Sequence, residues 1–410
     1  MIQNYIYFFL CLRVESLNYN HYNNTIKMKT LVKIITLLII VFFINEQKLY
    51  ADEKIKIGLL IPLSGKQNEI GKSILKSTRL ALNKIDNSNI EIIPKDTGNN
   101  PKKTLSAAKE LEEEGIKIVI GPVFNKNLIY LNELKKMVFL SLTNKNINNP
   151  KNVISAGINA GSQLKTIIKF QKLNDINKTV FLIPNLDFKY EIKDAIKKSK
   201  IKLKHTYIYK IEPTQLTEQI EKITYYKERQ QNRKDEIKRL ENSDDVNKEK
   251  KIAILEKKDS LGGINFDSVI VSDFDESLKS VFTSLLYTDV TPKRIYYITL
   301  NQWFDKSFLK ETNLQPIYFP SINKENYDEF INKYKIIYNE YPNQLSFLSY
   351  DLVGLVYYII FKNNFIVNEK IFYKKNKFKG KVGVFEINKN RINHVLNLYK
   401  IENEKFIKIF

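Results

Sequence analysis

Short apolar runs alternate with amphipathic stretches from Lys54 to Thr299, and this alternation restricts the fold more than any other feature of the chain. "KIKIGLLIPL" reads as a strand, and "EIGKSILKSTRLALNKID" as a helix with Ile70, Ile74, Leu75, Thr78 and Leu82 on one side. "NIEIIPKD" is a strand. "NPKKTLSAAKELEEEG" is a helix with Pro101 near its start and Gly115 just past its end. "IKIVIGPV" (strand), "NKNLIYLNELKKM" (helix) and "VFLSLT" (strand) complete a first set. A second set runs through "SQLKTIIKFQKLN", "KTVFLIP", "YEIKDAIKKSK", "LKHTYIYK", a long helical stretch, "FDSVIVSD", "ESLKSVFTSLLYTD" and "RIYYIT". Repeated βαβ units imply parallel sheets with helices on both faces, here as two α/β lobes in tandem.

The first unit carries Ser64-Gly65, then Gly71-Lys72-Ser73 at the start of its helix. Strand, glycine loop and Gly-Lys-Ser suggest a phosphate loop, which needs four residues between its glycines and Lys directly after the second. Here five residues separate Gly65 from Gly71, so the spacing fails. Gly71 is expected instead to permit a close approach at the helix start. Other chemistry is sparse: His205 and His394 are far apart, and no H-x-x-x-H, C-x-x-C or G-x-S-x-G occurs. Asp244-Asp245 reads as a solvated turn, and Asp273/Asp275 as a strand-ending turn that could rim a cleft. No catalytic residue, metal ligand or cofactor site is expected, and the chain reads as non-enzymatic.

Met28 opens "MKTLVKIITLLIIVFFINEQKLYADEK", with Lys29 and Lys33 ahead of an apolar run over 34–44 and small Ala51 before Asp52. Residues 28–51 therefore read as a signal peptide cleaved near Ala51, with an uncleaved anchor as the other reading of the run. Residues 1–27 read as a doubtful upstream extension. Their Cys11 is the only cysteine, so the mature chain has no thiol and no lipoprotein acylation site. About 360 residues remain, enough for two domains. The net charge is +21, but its lysines are dispersed, without an Arg-rich or aromatic-interleaved stretch. That distribution argues against nucleic acid as a partner.

Residues 214–260 break the βαβ pattern with an almost wholly charged, helical stretch whose apolar stripe (Ile220, Ile223, Ile237, Leu240) is narrow. "NSDDVN" reads as the turn of a helical hairpin. Such a hairpin is either a solvated excursion or a docking surface.

Taken in order, "IGLLIPLSGKQNEIGKSILKSTRLAL", "KDTGNNPKKTLSAAKELEEEGIKIVIGPV", "YDEFINKYKIIYNEYPNQLSFLSYDLVGLVYYII" and "FKGKVGVFEINKNRINHVLNLYKI" resemble type-1 periplasmic binding proteins, the leucine-binding-protein superfamily. "KDTGNNP", "LNQWFD", "LSYDLVGL" and the charged insert most resemble its penicillin-binding protein activator branch. The resemblance implies two Rossmann-like lobes joined by a three-crossing hinge. Lobe 1 would comprise 52–158 plus 322–365, and lobe 2 would comprise 159–321 plus 375–410. Crossings would fall near Gly157–Gly161, near Pro320–Asn323 and between Phe361 and Phe378. A ligand cleft would take Ser64, Gly65, Val123, Phe124, Ser141, Thr143, Phe188, Gln302 and Trp303. Val123 and Phe124 stand where transport members hold a ligand carboxylate with hydroxyl residues. Asn301-Gln302-Trp303 offers no acid to an ammonium group, and Trp303 would stack on an apolar group or plug the core. The resemblance implies a periplasmic location and, as partner, a peptidoglycan synthase (a penicillin-binding protein). The alternative is an ABC permease served with amino acids or related small solutes.

Overall fold

The computed structural model describes residues 33, 35, 36, 54–85, 89–300 and 303–410. The expected extension, the signal peptide apart from three helical positions, the cleavage point and Gln302 lie outside the described residues. Ile55–Phe410 forms one compact unit.

Its first half runs β1 (Ile55–Ile61), α1 (Asn68–Ile85), β2 (Ile90–Asp96), α2 (Pro101–Glu113), β3 (Ile118–Ile120), β4 (Val138–Ser141) and β5 (Val153–Ser155). β1, β3, β4 and β5 are buried on both faces, which explains why they read as unbroken apolar runs rather than as alternating ones, whereas the edge strand β2 is only partly buried. α2 begins with the Asn100 side chain accepting from the Lys103 N–H, and Pro101 occupies the first turn, where its missing donor costs nothing. "NKNLIYLNELKKM" does not form the expected helix. It makes two 3₁₀ turns, Asn125–Leu128 and Leu131–Glu133. Its asparagines compete with the helical backbone, and Asn127 donates to Asn99 at 3.1 Å.

The second half runs α3 (Ala160–Leu173), β6 (Thr179–Pro184), α4 (Lys189–Ser199), β7 (His205–Tyr209), α5 (Pro213–Ile223), α6 (Tyr226–Glu241), α7 (Lys248–Glu256), β8 (Ser268–Val271), α8 (Asp275–Tyr287), β9 (Tyr296–Thr299) and β10 (Ile317–Ser321). α9 (Lys324–Tyr338) and α10 (Gln344–Lys362) return to the first lobe. β11 (Asn376–Lys379), β12 (Val384–Asn388), β13 (Arg391–Val395), β14 (Asn397–Glu402) and β15 (Lys405–Lys408) close the chain.

The first sheet has the order β11-β12-β13-β5-β4-β3-β1-β2, and the second β15-β14-β10-β9-β8-β6-β7. In each, five parallel strands run in the doubly wound order 2-1-3-4-5; the first sheet adds β13 in parallel to β5, with β12 and β11 antiparallel beyond it, and the second adds β14 and β15 antiparallel beside β10. The fold is thus the two-lobed α/β arrangement expected. The 375–410 segment, assigned above to lobe 2, divides between the lobes: β11–β13 extend the first sheet, and only β14 and β15 join the second. The third crossing accordingly lies at Leu396, between β13 and β14, not between Phe361 and Phe378. Pairing of β13 with β5 through Arg391 and Ser155 carries the closing strands back beside the first crossing.

α10 is long and apolar enough to cross a membrane by length and composition, yet most of it is buried in the protein. It packs on α1, where the Gly-Lys-Ser triplet finds its role. A Cβ on Gly71 would lie 1.9 Å from the Pro62 carbonyl oxygen. Ser73 accepts from the Asn343 N–H at 2.8 Å and meets Ser346 Oγ at 2.7 Å, so its hydroxyl binds the start of α10. Lys72 pairs with Glu69 at the surface.

The charged insert also differs from expectation at one end. α5 carries Leu216 and Ile220, both buried in the main core, and so belongs to the lobe. The projecting hairpin is α6 with α7. Arg229 fixes its base by donating to the carbonyls of Thr224 and Thr288 and to Ser260 Oγ.

Candidate functional site: the inter-lobe cleft

In doubly wound sheets, ligands bind outside the carboxyl ends of the strands, where neighbouring loops part. A 460 Å³ cavity lies at this position in the first lobe. Its walls are Val123, Phe124, Asn125 and Lys126 after β3, Leu142 to Lys145 after β4, and Gly157 and Ile158 at the first crossing. Leu345 and Leu348 of α10 close one side, and Trp303 reaches it from the loop after β9. Four of the expected cleft residues, Val123, Phe124, Thr143 and Trp303, therefore meet around one space.

The others are placed differently. Ser141 is fully buried and donates to the Pro122 carbonyl at 2.7 Å, so its hydroxyl holds the β3 loop rather than facing the cavity. Ser64 donates to Asp96 at 2.6 Å, and Gly65 turns beside it with φ +75°. Asp96 also accepts from the N–H groups of Leu63 and Gly98 and pairs with Lys103 at 2.5 Å. Burial opposes ionisation there, but Lys103, Ser64 and these N–H groups together hold the carboxyl well below the usual range. Ser64 and Gly65 thus belong to a self-satisfied knot at the end of β2. Phe188 packs in the second lobe's core, its ring 6.1 Å from that of Phe274.

Trp303 is half-buried: its ring lines the cavity on one side and packs against the main core on the other. It and Phe304 both have positive φ, a strained conformation for aromatic residues. Phe304 holds the turn by packing edge-on against Phe319, Tyr399 and Phe406. Lys126 and Lys145 bring positive charge to the cavity, and no carboxylate is among its described lining residues. Sequence reasoning missed both lysines, which do not stand out in a lysine-rich chain. It also missed Leu345 and Leu348, which have the periodicity of any core helix.

Asp273, one of the paired acids noted above, is a strand-end acceptor: it takes hydrogen bonds from Tyr209 Oη, the Phe274 N–H and Ser277 Oγ. Among the described residues no group of three His, Cys, Asp or Glu is arranged to hold a metal. A second space of 430 Å³ beside the hinge holds charges of both signs, including the pair Lys198–Asp194 at 2.6 Å. Its Glu191 bridges the lobes. From α4 it accepts the N–H of Asn146 at 2.7 Å and of Ile147 at 3.3 Å, in the loop after β4.

Two doubly wound lobes, three crossings and a cleft at the strand ends define the type-1 periplasmic binding protein fold. Residues 54–221 match the family model described as "Periplasmic binding protein". The C-domain of LpoA from Haemophilus influenzae, a regulator of PBP1A, superposes with a TM-score of 0.58 at 15% identity, covering 87% of this chain and 100% of that one. A putative branched-chain amino acid ABC transporter protein from Rhodospirillum rubrum gives 0.65 at 12% identity, with 87% and 100% covered. LivJ from Streptococcus pneumoniae, solved with isoleucine, gives 0.50 at 16% identity, with 87% and 99% covered. These are binding and regulatory proteins, and at such identities the likeness concerns the fold. No curated protein matches the chain in sequence.

Proposed function

We propose that the protein is a non-enzymatic, exported regulator of peptidoglycan synthesis of the penicillin-binding protein activator type. The observation that carries this reading is the lining of the cleft. A free amino acid needs an acid for its ammonium group and donors for its carboxylate. Here Ser141 is committed to Pro122, Val123 and Phe124 are apolar, and the described lining holds two lysines but no acid. Burying an ammonium without a counter-charge costs several kcal/mol, on the order of the whole gain from a small ligand. The likeness to the LpoA C-domain and the projecting α6–α7 hairpin support a role exerted through the surface.

A second reading, solute delivery to an ABC permease, is favoured by the cavity itself, which has the volume of a small-molecule site. The chain's single Trp, Trp303, lines that cavity and reports on it directly. Titration with leucine, isoleucine and valine should leave Trp303 fluorescence unchanged up to millimolar concentration, with no heat in calorimetry. Immobilised protein should capture a peptidoglycan synthase. Micromolar leucine binding without such capture would overturn the regulator reading and establish the transport one.

A further inference from the structure

The far end of α10 presents a second surface, away from the cleft. Tyr357, Tyr358, Phe361 and Phe378 line a 530 Å³ groove together with Lys84, Lys379 and Lys381. Beyond it Phe361, Phe365 and Ile366 are 56%, 41% and 64% exposed. They are not isolated tips. The Phe361 ring lies 6.1 Å from that of Tyr357 and 5.7 Å from that of Phe365, forming a continuous apolar ridge. Contiguous exposed apolar surface marks an interaction site, whereas scattered residues do not.

Lysine predominates around the ridge, although Lys381 is paired with Glu329 at 2.6 Å and Lys377 with Glu386 at 4.0 Å. Lys362, Lys374, Lys375 and Lys379 are exposed and form no ion pair among the described residues. Glu369 is the only acid between residues 357 and 381. The one carboxylate in the groove, Asp351, is buried and accepts the N–H groups of Lys381 and Val382.

We propose that this end of α10 docks on an anionic phospholipid surface. The ridge would enter the interface while the lysines meet headgroup phosphates. Durable attachment of a folded domain to a bilayer needs both an apolar and a basic element, and both are present here. The basic groups are all lysines, point charges on flexible stems that reach phosphates at varied depth. Protein interfaces instead favour the fixed fork of Arg and are depleted in Lys.

The test uses residues 55–410, the compact unit containing both sheets and all their cores, so that the apolar run at 34–44 cannot contribute. Vesicles of phosphatidylcholine alone, or mixed with phosphatidylglycerol, are sedimented with the protein. Binding should require phosphatidylglycerol and weaken as salt rises. Phe361→Ser with Phe365→Ser and Ile366→Ser should lower partitioning at least about tenfold. An independent variant, Lys374→Glu with Lys375→Glu and Lys379→Glu, should lower it by about fivefold or more per site. All six side chains are exposed, so thermal melting should match wild type. Absence of binding to the anionic vesicles, or equal binding by wild type and both variants, would overturn the proposal. Capture of an acidic peptide in place of vesicles would also overturn it and make the groove a protein site.

Discussion

Asp351 and His394, both buried, titrate in opposite senses over the same interval of pH. Burial raises the Asp351 carboxyl to about 6, against the N–H groups of Lys381 and Val382, which favour its charged form. Burial lowers the His394 imidazole to about 4, although its Nε2 lies 2.9 Å from the Ala156 carbonyl. Between about pH 4 and 6, native Asp351 holds a proton that the unfolded chain has lost, so its contribution to stability grows as pH falls. Unfolded histidine gains a proton that native His394 refuses, so its contribution shrinks as pH falls. Each amounts to about 3 kcal/mol across the interval, and the two largely offset. Asp351→Asn should therefore make the protein lose about 2 kcal/mol relative to wild type between about pH 6.5 and 4.5. His394→Gln should make it gain a similar amount. Urea unfolding at the two pH values checks both signs.

The α6–α7 hairpin rests on one buried cation. Arg229 is 2% exposed, and burial lowers its pKa, yet its three nitrogens donate to Thr224, Ser260 and Thr288. Removing it leaves two buried carbonyls without this donor. Arg229→Met should cost about 3–5 kcal/mol, measured by urea unfolding. Farther out, only Leu240 of α6 and Leu255 of α7 are buried, and they belong to the hairpin itself. Replacing 233–257 with a short Gly/Ser linker should change stability by less than about 1 kcal/mol. Extending the deletion back to residue 214 removes Leu216 and Ile220 from the main core and should cost about 4 kcal/mol or more. If the hairpin docks a partner, the shorter deletion should abolish capture of the synthase while melting normally.

At the scale of the molecule, the lobes are joined by three crossings and one latch. The crossings at 156–159 and Leu396 are bound side by side. Asn159 donates to the Ile392 carbonyl at 2.9 Å, and Ser162 Oγ accepts from the His394 N–H at 2.9 Å. At 321–323 the Asn323 N–H donates to the Val382 carbonyl at 3.2 Å. Glu191 is the latch, joining α4 of one lobe to the Asn146–Ile147 backbone of the other. Hydrogen bonds to a charged acceptor contribute about 1.5–3 kcal/mol. Glu191→Ala should therefore speed amide exchange at Asn146 and Ile147 about tenfold or more and increase the radius of gyration in solution scattering. Exchange within β3 and β4 should be unchanged, because a hinge opens without dissolving the cores it joins.

The doubly wound lobes were legible in the chain because strands buried on both faces must be apolar throughout, and their helices must be amphipathic. The failure of the Gly65–Gly71 spacing excluded a phosphate loop before any contact was visible, since that motif depends on local geometry alone. Val123, Phe124, Thr143 and Trp303 could be assigned to one cleft only through the resemblance to type-1 periplasmic binding proteins, which matched their loops residue by residue. Sequence could not show that Ser141 spends its hydroxyl on Pro122, that Arg229 is buried, or that β11–β13 join the first sheet. Nor could it show that Glu191 reaches a loop 44 residues away. Each of these depends on which distant backbone group lies within hydrogen-bonding distance. Only the packed tertiary structure sets that distance, while periodicity records no more than which face of an element is buried.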